Sequence, residues 1–229
     1  GEPDFPTPKH ICEAAKAAID SNFCRYTAVP GIRELRKAVC GYYSNQYDLT
    51  IRPENVIISN GGKQALYNYI MCTVNPGDEV IIPAPYWVSY PAIVELAGGV
   101  PVYVEAGPED GFKVTPDKIR KAITPKTKLF ILNSPCNPTG AVYSASELEG
   151  IMDVVIGAGL NVFSDEVYDQ LVFAPAEMAS ASPYFAKYPE QVSILCGLSK
   201  SFAMTGWRVG FLVAHEEIIQ KCSTLQGQS

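Results

Sequence analysis

Charge is scarce in this chain of 229 residues: Asp, Glu, Lys and Arg together make up 18%, against roughly 25% in an ordinary soluble domain. The balance is acidic, 24 Asp and Glu against 18 Lys and Arg, for a net charge of −6. No Lys/Arg block interrupts it, which excludes nucleic-acid binding by bulk charge. Histidine is nearly absent, with two residues, and the seven cysteines (Cys12, Cys24, Cys40, Cys72, Cys136, Cys196 and Cys222) include no CxxC pair. That pattern builds neither a zinc cage nor a disulfide framework. It suits a reducing compartment, so a cytoplasmic location is expected. No apolar run approaches the ~18 residues needed to cross a bilayer. An initiator methionine is also missing: the chain opens at Gly1-Glu2-Pro3-Asp4 and closes inside a helical pattern begun near Glu216. The expectation is a piece of a longer protein, with any targeting segment outside it.

What is present is apolar material, 47% of residues, enough for a large buried core and incompatible with disorder. Helical and strand patterns alternate along the chain. Ile32, Leu35, Val39 and Tyr43 fall at helical spacing within 31–46, and Ala65, Leu66, Tyr69 and Ile70 mark a second helix. Further helices are expected over 90–97, after Thr115-Pro116-Asp117 (an N-cap with proline at the first position), and after Ser144, whose Glu147 completes a capping box. Strands are expected over 54–59, 79–83, 100–104, 128–132, 161–163, 192–196 and 209–213. Most are continuous apolar runs, the mark of strands covered on both faces. The fold class is therefore α/β, a three-layer α/β/α sandwich around a mainly parallel seven-stranded sheet. The stretch 175–189 reads as an irregular surface excursion.

In an open α/β sheet, ligands bind beyond the carboxyl ends of the strands, and the unusual residues fall there. After the first strand, Asn60-Gly61-Gly62-Lys63 runs into a helix, where free N–H groups can hold an anion; taken alone, a plain turn explains the glycine pair as well. After the second, Pro83-Ala84-Pro85-Tyr86-Trp87 holds an aromatic on a stiff loop, suited to a flat ring or to core packing. After the fourth comes Asn133-Ser134-Pro135-Cys136-Asn137-Pro138-Thr139-Gly140, a tightly turned loop presenting the Asn137 amide. After the fifth comes Asp165, a carboxylate that needs a cationic partner if buried, with Tyr168 three residues on; capping the next helix is the simpler role for Asp165. After the sixth, Lys200 sits between a buried strand and an apolar segment, a setting suited to Schiff-base chemistry. Arg208, eight residues later, is a second fixed cation suited to phosphate.

Taken in order, GEPDFPTP, RYTAVPGIRELR, NGGKQAL, PAPYWVSYP, NSPCNPTGAVY, SDEVY and LSKSFAMTGWRVGF resemble the class I/II aminotransferases, fold-type I enzymes that use pyridoxal 5′-phosphate. The branch most resembled is that of the aspartate/prephenate aminotransferases, and the likeness covers essentially the whole chain. It implies an N-terminal arm over 1–25 leading into a cofactor-binding large domain over 26–229, with the C-terminal small domain absent. It implies that Lys200 forms the Schiff base and shuttles a proton, that Asp165 pairs with the pyridine nitrogen, and that Tyr168 and Asn137 hydrogen-bond the ring oxygen. Trp87 would stack on the ring, while Gly62, Lys63 and Arg208 hold the phosphate. Tyr26 would reach the phosphate of a neighbouring subunit, making the protein a homodimer. Gly1, Trp87 and Asn137 would touch the substrate, and no metal, nucleic acid or membrane is involved.

The implied activity is transfer of an amino group from an L-amino acid, aspartate-like as a first expectation, to a 2-oxo acid. One departure stands out: many relatives place a serine three residues before the lysine, where this chain has Gly197, leaving Ser199 or Ser201 to take that contact. The arginine for the substrate α-carboxylate belongs to the small domain. The alternatives are a pyridoxal-phosphate lyase on the same scaffold, or a fragment that binds cofactor without turnover.

Overall fold

The computed structural model describes residues 1–229. Seven strands, β1 (Val56–Ser59), β2 (Glu79–Ala84), β3 (Val100–Glu105), β4 (Thr127–Asn133), β5 (Asn161–Asp165), β6 (Val192–Gly197) and β7 (Gly210–Val213), alternate with nine helices. The helices are α1 (Lys9–Asp20), α2 (Arg33–Tyr47), α3 (Gly62–Thr73), α4 (Ser89–Leu96), α5 (Pro116–Ala122), α6 (Ala145–Gly157), α7 (Ser182–Lys187), α8 (Leu198–Ser201) and α9 (Glu216–Gln226). The strands form one sheet in the order β1-β7-β6-β5-β4-β2-β3.

The alternation of strand side chains explains the continuous apolar runs. Ile81, Phe130, Leu132, Val162 and Ile194 enter a core beneath α2, α6 and α7. Their neighbours Val80, Ile82, Leu129, Ile131, Phe163 and Leu195 enter a second core beneath α3, α4 and α9. Both faces of the sheet are thus dry, as the α/β/α expectation requires. The capping box at Ser144 forms in both directions, Glu147 N–H to Ser144 Oγ at 3.3 Å and Ser144 N–H to the Glu147 carboxylate at 2.8 Å.

β7 alone runs against its neighbours, antiparallel to both β1 and β6, whereas β2, β3, β4, β5 and β6 are parallel. The reversal has a consequence for the site. The start of β7 pairs with the ends of β1 and β6 through Ser59, Gly197 and Gly210. Residues just before β7, Arg208 among them, therefore arrive at the same sheet edge as residues just after the other strands.

Three differences from the sequence expectations have local causes. The first strand begins at Val56 because Pro53–Asn55 form a 3-10 turn, closed by the Asn55 side chain accepting from Arg52 N–H at 3.1 Å. The stretch 175–189 is not wholly irregular: it contains α7, held by buried Ala181, Ser182 and Phe185. Helix α1 was not anticipated, and none of its residues is buried.

Gly210 lets α3 approach the sheet. A Cβ there would lie 2.4 Å from the Gly62 nitrogen and 2.6 Å from the Gly61 carbonyl carbon, backbone atoms that cannot swing aside. Gly210→Ala is therefore expected to destabilise the protein by about 1–3 kcal/mol, the cost of overpacking. Denaturant unfolding would check it; an unchanged midpoint would mean that the α3 start is loosely held.

Candidate active site

A cavity of about 390 Å³ opens at the strand ends, and Gly1, Gly62, Lys63, Trp87, Asn137, Asp165, Tyr168, Lys200 and Arg208 all line it. Nine of the ten residues singled out in the sequence are thus brought together. The tenth, Tyr26, is fully exposed and does not line the cavity.

The wall at β1 and α3 is built for an anion. Gly61 has φ +84°, and a Cβ on it would lie 2.2 Å from an Arg208 guanidinium nitrogen. Only glycine admits the arginine so close to the first turn of α3. Arg208 donates to the Thr205 carbonyl at 3.0 Å and enters no salt bridge. A free guanidinium beside a helix N-terminus of 12 residues favours a phosphate-like group. Ser199 also lines the cavity, whereas Ser201 does not and donates elsewhere, to Asp169. Of the two serines left open by Gly197, only Ser199 faces this space.

The floor is acidic and dry. Asp165 is 3% exposed and has no cation from the chain in salt-bridge contact. The expected cationic partner is not supplied by the protein itself. Instead the Tyr90 hydroxyl donates to it at 2.7 Å and the Val167 N–H at 3.2 Å. Burial pushes the Asp165 carboxyl up from 3.8 to about 6, with the two donors opposing the rise. A buried carboxylate facing the cavity with no cation in salt-bridge contact can pair with a cationic group of a ligand. Tyr90 was missed in the sequence because it sits in the apolar pattern of α4, where a tyrosine looks like any other core aromatic.

The amine stands opposite. Lys200 is half-buried rather than buried; its Nζ donates to the Gly1 carbonyl and lies 5.8 Å from the centre of the Tyr168 ring. Burial, with the Asp165 charge second, pushes the Tyr168 hydroxyl up and keeps it protonated, a donor. Asn137 is fixed by its N–H to the Asn133 side-chain oxygen at 2.7 Å, and the Asn133 amide donates in turn to the Asp165 carbonyl at 3.0 Å. Asn133 is thus a support that sequence reading passed over. Trp87 packs edge-on against Tyr90 with centroids 5.5 Å apart, and Lys63 Nζ sits 5.0 Å from the indole centre. Lys63 therefore offers a side-chain cation as well as the expected backbone N–H.

Anion cradle, aromatic wall, unpaired buried carboxylate and lysine amine meet in one space, and comparison with known proteins agrees with them. A profile of the family "Aminotransferase class I and II" matches residues 1–228. The chain belongs to the class I and II aminotransferases. It is 47% identical over 230 residues to the aspartate/prephenate aminotransferase of Cereibacter sphaeroides, with all of this chain and 58% of that protein aligned. It is 42% identical to the aspartate aminotransferase of Geobacillus stearothermophilus, again over 100% of this chain and 58% of the relative. Among solved structures, Thermus thermophilus aspartate aminotransferase with maleate superimposes at a TM-score of 0.95 and 42% identity, covering 100% of this chain and 59% of that one. The Pyrococcus horikoshii aromatic aminotransferase does so at 0.97 and 40%, covering 100% and 61%. This aminotransferase chain thus spans about three fifths of the length of the relatives it matches.

The Asp165 environment sets a pH dependence. Its folded carboxyl titrates near 6 against an ordinary 3.8, so between these values the folded ligand-free chain holds a proton that the unfolded chain has lost. Stability contributed by this group therefore falls as pH rises from about 4 to about 6 and is level above. Asp165→Asn removes that fall. The ligand-free variant is expected to gain on the parent by on the order of 3 kcal/mol between pH 4 and pH 7, read from parallel urea unfolding curves. Curves that keep a constant separation would contradict the assignment.

Proposed function

We propose that the full protein is a pyridoxal-phosphate-dependent aminotransferase that moves an amino group from an L-amino acid to a 2-oxo acid. One observation carries the reading: a buried carboxylate without a protein cation, Asp165, shares a cavity with the Lys200 amine and the free Arg208 guanidinium. Pyridoxal phosphate matches that set end for end, with its ring nitrogen, its carbonyl carbon and its phosphate. The relatives named as aspartate and aspartate/prephenate aminotransferases support the same conclusion.

When bound, pyridoxal phosphate supplies an electron sink for negative charge at the substrate α-carbon. The residues of this chain bind and orient. Arg208, Ser199 and the N–H groups of Gly62 and Lys63 hold the phosphate, and Trp87 covers a ring face. Asp165 would pair with the ring nitrogen and favour its protonated form, a charge placed before the reaction begins. Tyr168 and Asn137 hydrogen-bond the ring oxygen. Lys200 Nζ lines the same cavity; it would hold the cofactor, and as a free amine it would be placed to accept a proton from the substrate Cα. Gly1, Trp87 and Asn137 lie where the substrate enters. An aspartate-like amino acid is the first substrate expected, on the strength of the relatives named as aspartate and aspartate/prephenate aminotransferases.

Residues 1–25 serve as an arm and 26–229 as the cofactor-binding large domain. Tyr26, together with exposed Ile19, Phe23 and Val29, is covered by a second copy, so that Tyr26 reaches the partner's phosphate in a homodimer. No helix is long and apolar enough to cross a membrane. The seven free cysteines suit a reducing, cytoplasmic setting. Because the relatives are longer, turnover is assigned to the full-length protein and cofactor binding to this chain.

Titrating the protein with pyridoxal phosphate is expected to raise a visible absorbance band, absent from Lys200→Ala. With aspartate and 2-oxoglutarate, the full-length parent is expected to form oxaloacetate, and the variant to lose at least about 1,000-fold in rate. A band of equal strength in the variant would refute the role of Lys200. Ammonia released without an acceptor would assign a lyase instead.

A further inference from the structure

Helix α8, which carries Lys200, is four residues long, too short to hold its shape unaided. Two side-chain hydrogen bonds leave it: Lys200 itself to the Gly1 carbonyl, and Ser201 Oγ to Asp169 Oδ1 at 3.1 Å. The second ends on an unusual group. Asp169 is 5% exposed, forms no salt bridge and does not line the cofactor cavity. Besides Ser201, it accepts from the hydroxyls of Tyr42 and of Tyr47 (3.0 Å), both on α2, and from the Gln170 amide at 3.4 Å. The Gln170 amide also donates to the Tyr42 hydroxyl at 2.8 Å. Burial first, and then Asp169 through its hydrogen bond to Tyr42 and its charge near Tyr47, push both tyrosine hydroxyls upward, so they remain protonated donors. A buried carboxylate costs free energy unless such donors surround it, and nothing in the reaction proposed above uses this one.

Its place in the chain suggests a use. Asp169 directly follows Tyr168, and Ser201 directly follows Lys200. The hydrogen bond between Asp169 and Ser201 therefore ties together the two backbone segments that present the phenol and the amine to the cavity. The two tyrosines fasten the same carboxylate to α2, a 15-residue helix packed on the sheet through Val39 and Tyr43. Resting on the pyridoxal-phosphate reading, we propose that Asp169 is a positioning residue: through Ser201 it anchors α8 and fixes the Lys200 amine relative to Tyr168 for attachment of the cofactor.

The test uses the full-length protein with Ser201→Ala, which removes the tie, Ser201→Thr, which keeps a hydroxyl, and Asp169→Asn. The dissociation constant for pyridoxal phosphate, read from the visible band, is expected to rise about tenfold in Ser201→Ala, the weight of one charge-assisted hydrogen bond. Ser201→Thr is expected to restore it to within about twofold, whereas Asp169→Asn behaves like the alanine variant. Each variant's melting curve in the absence of cofactor shows whether it is folded. Should Asp169→Asn fail to fold, the two serine variants decide alone.

A second readout needs no cofactor. Acetic anhydride labels Lys200 in the ligand-free protein, and mass spectrometry compares its rate with that of the exposed Lys16. Ser201→Ala is expected to change that ratio about threefold or more, and Ser201→Thr to leave it as in the parent. If the parent shows no visible band, the functional reading fails and the labelling ratio still judges the anchor. If the parent shows the band but Ser201→Ala matches it in affinity and in labelling, the anchor is refuted while the functional reading stands.

Discussion

A carboxylate kept in a dry place without a countercharge is the constraint from which the rest of the site follows. Asp165 ends β5 near the middle of the sheet, buried and facing the cavity. Its environment raises its carboxyl to about 6 despite two hydrogen-bond donors. A protein seeking stability alone would place an apolar residue or an ion pair there. Leaving the charge unpaired makes sense if a cationic ligand completes it. The same reasoning applies on the opposite wall, where Arg208 lies against Gly61 and enters no salt bridge.

The topology delivers these unpaired charges to one place. Parallel strands put their ends at one edge, so Trp87, Asn137, Asp165 and Lys200 gather without special arrangement. The antiparallel β7 adds Arg208 from its beginning rather than its end. Gly210 and Gly61 then remove the bulk that would keep arginine and helix start apart. The site is thus a property of strand order and direction, completed by the loops that leave the strand ends.

Much of this was legible in the sequence, for reasons that can be named. Strands covered on both faces leave unbroken apolar runs, so Asp165 and Lys200 stood out as charged residues directly after such runs. The capping box at Ser144 and Glu147 is a local rule and formed as expected. Other features had no local signature. Tyr90 supports Asp165 from 75 positions away, and within α4 its hydroxyl leaves the apolar pattern unchanged. The buried acid Asp169 is joined to Tyr42 and Tyr47 across more than 120 positions, so only the fold shows it to be surrounded by donors. Helix α7 was hidden by flanking prolines, and α1 buries nothing that would mark it. The direction of β7 is set by its neighbours, not by its four residues.

The central claim is that Asp165 is unpaired because it awaits the protonated nitrogen of a pyridine ring. The most direct measurement is the 15N NMR shift of ring-labelled pyridoxal phosphate bound to the full-length protein, followed with pH beside Asp165→Asn. A shift characteristic of a protonated nitrogen in the parent through neutral pH, and of a neutral nitrogen in the variant, is what the account predicts. A neutral ring nitrogen in the parent would contradict it, and the buried carboxylate would then need another explanation.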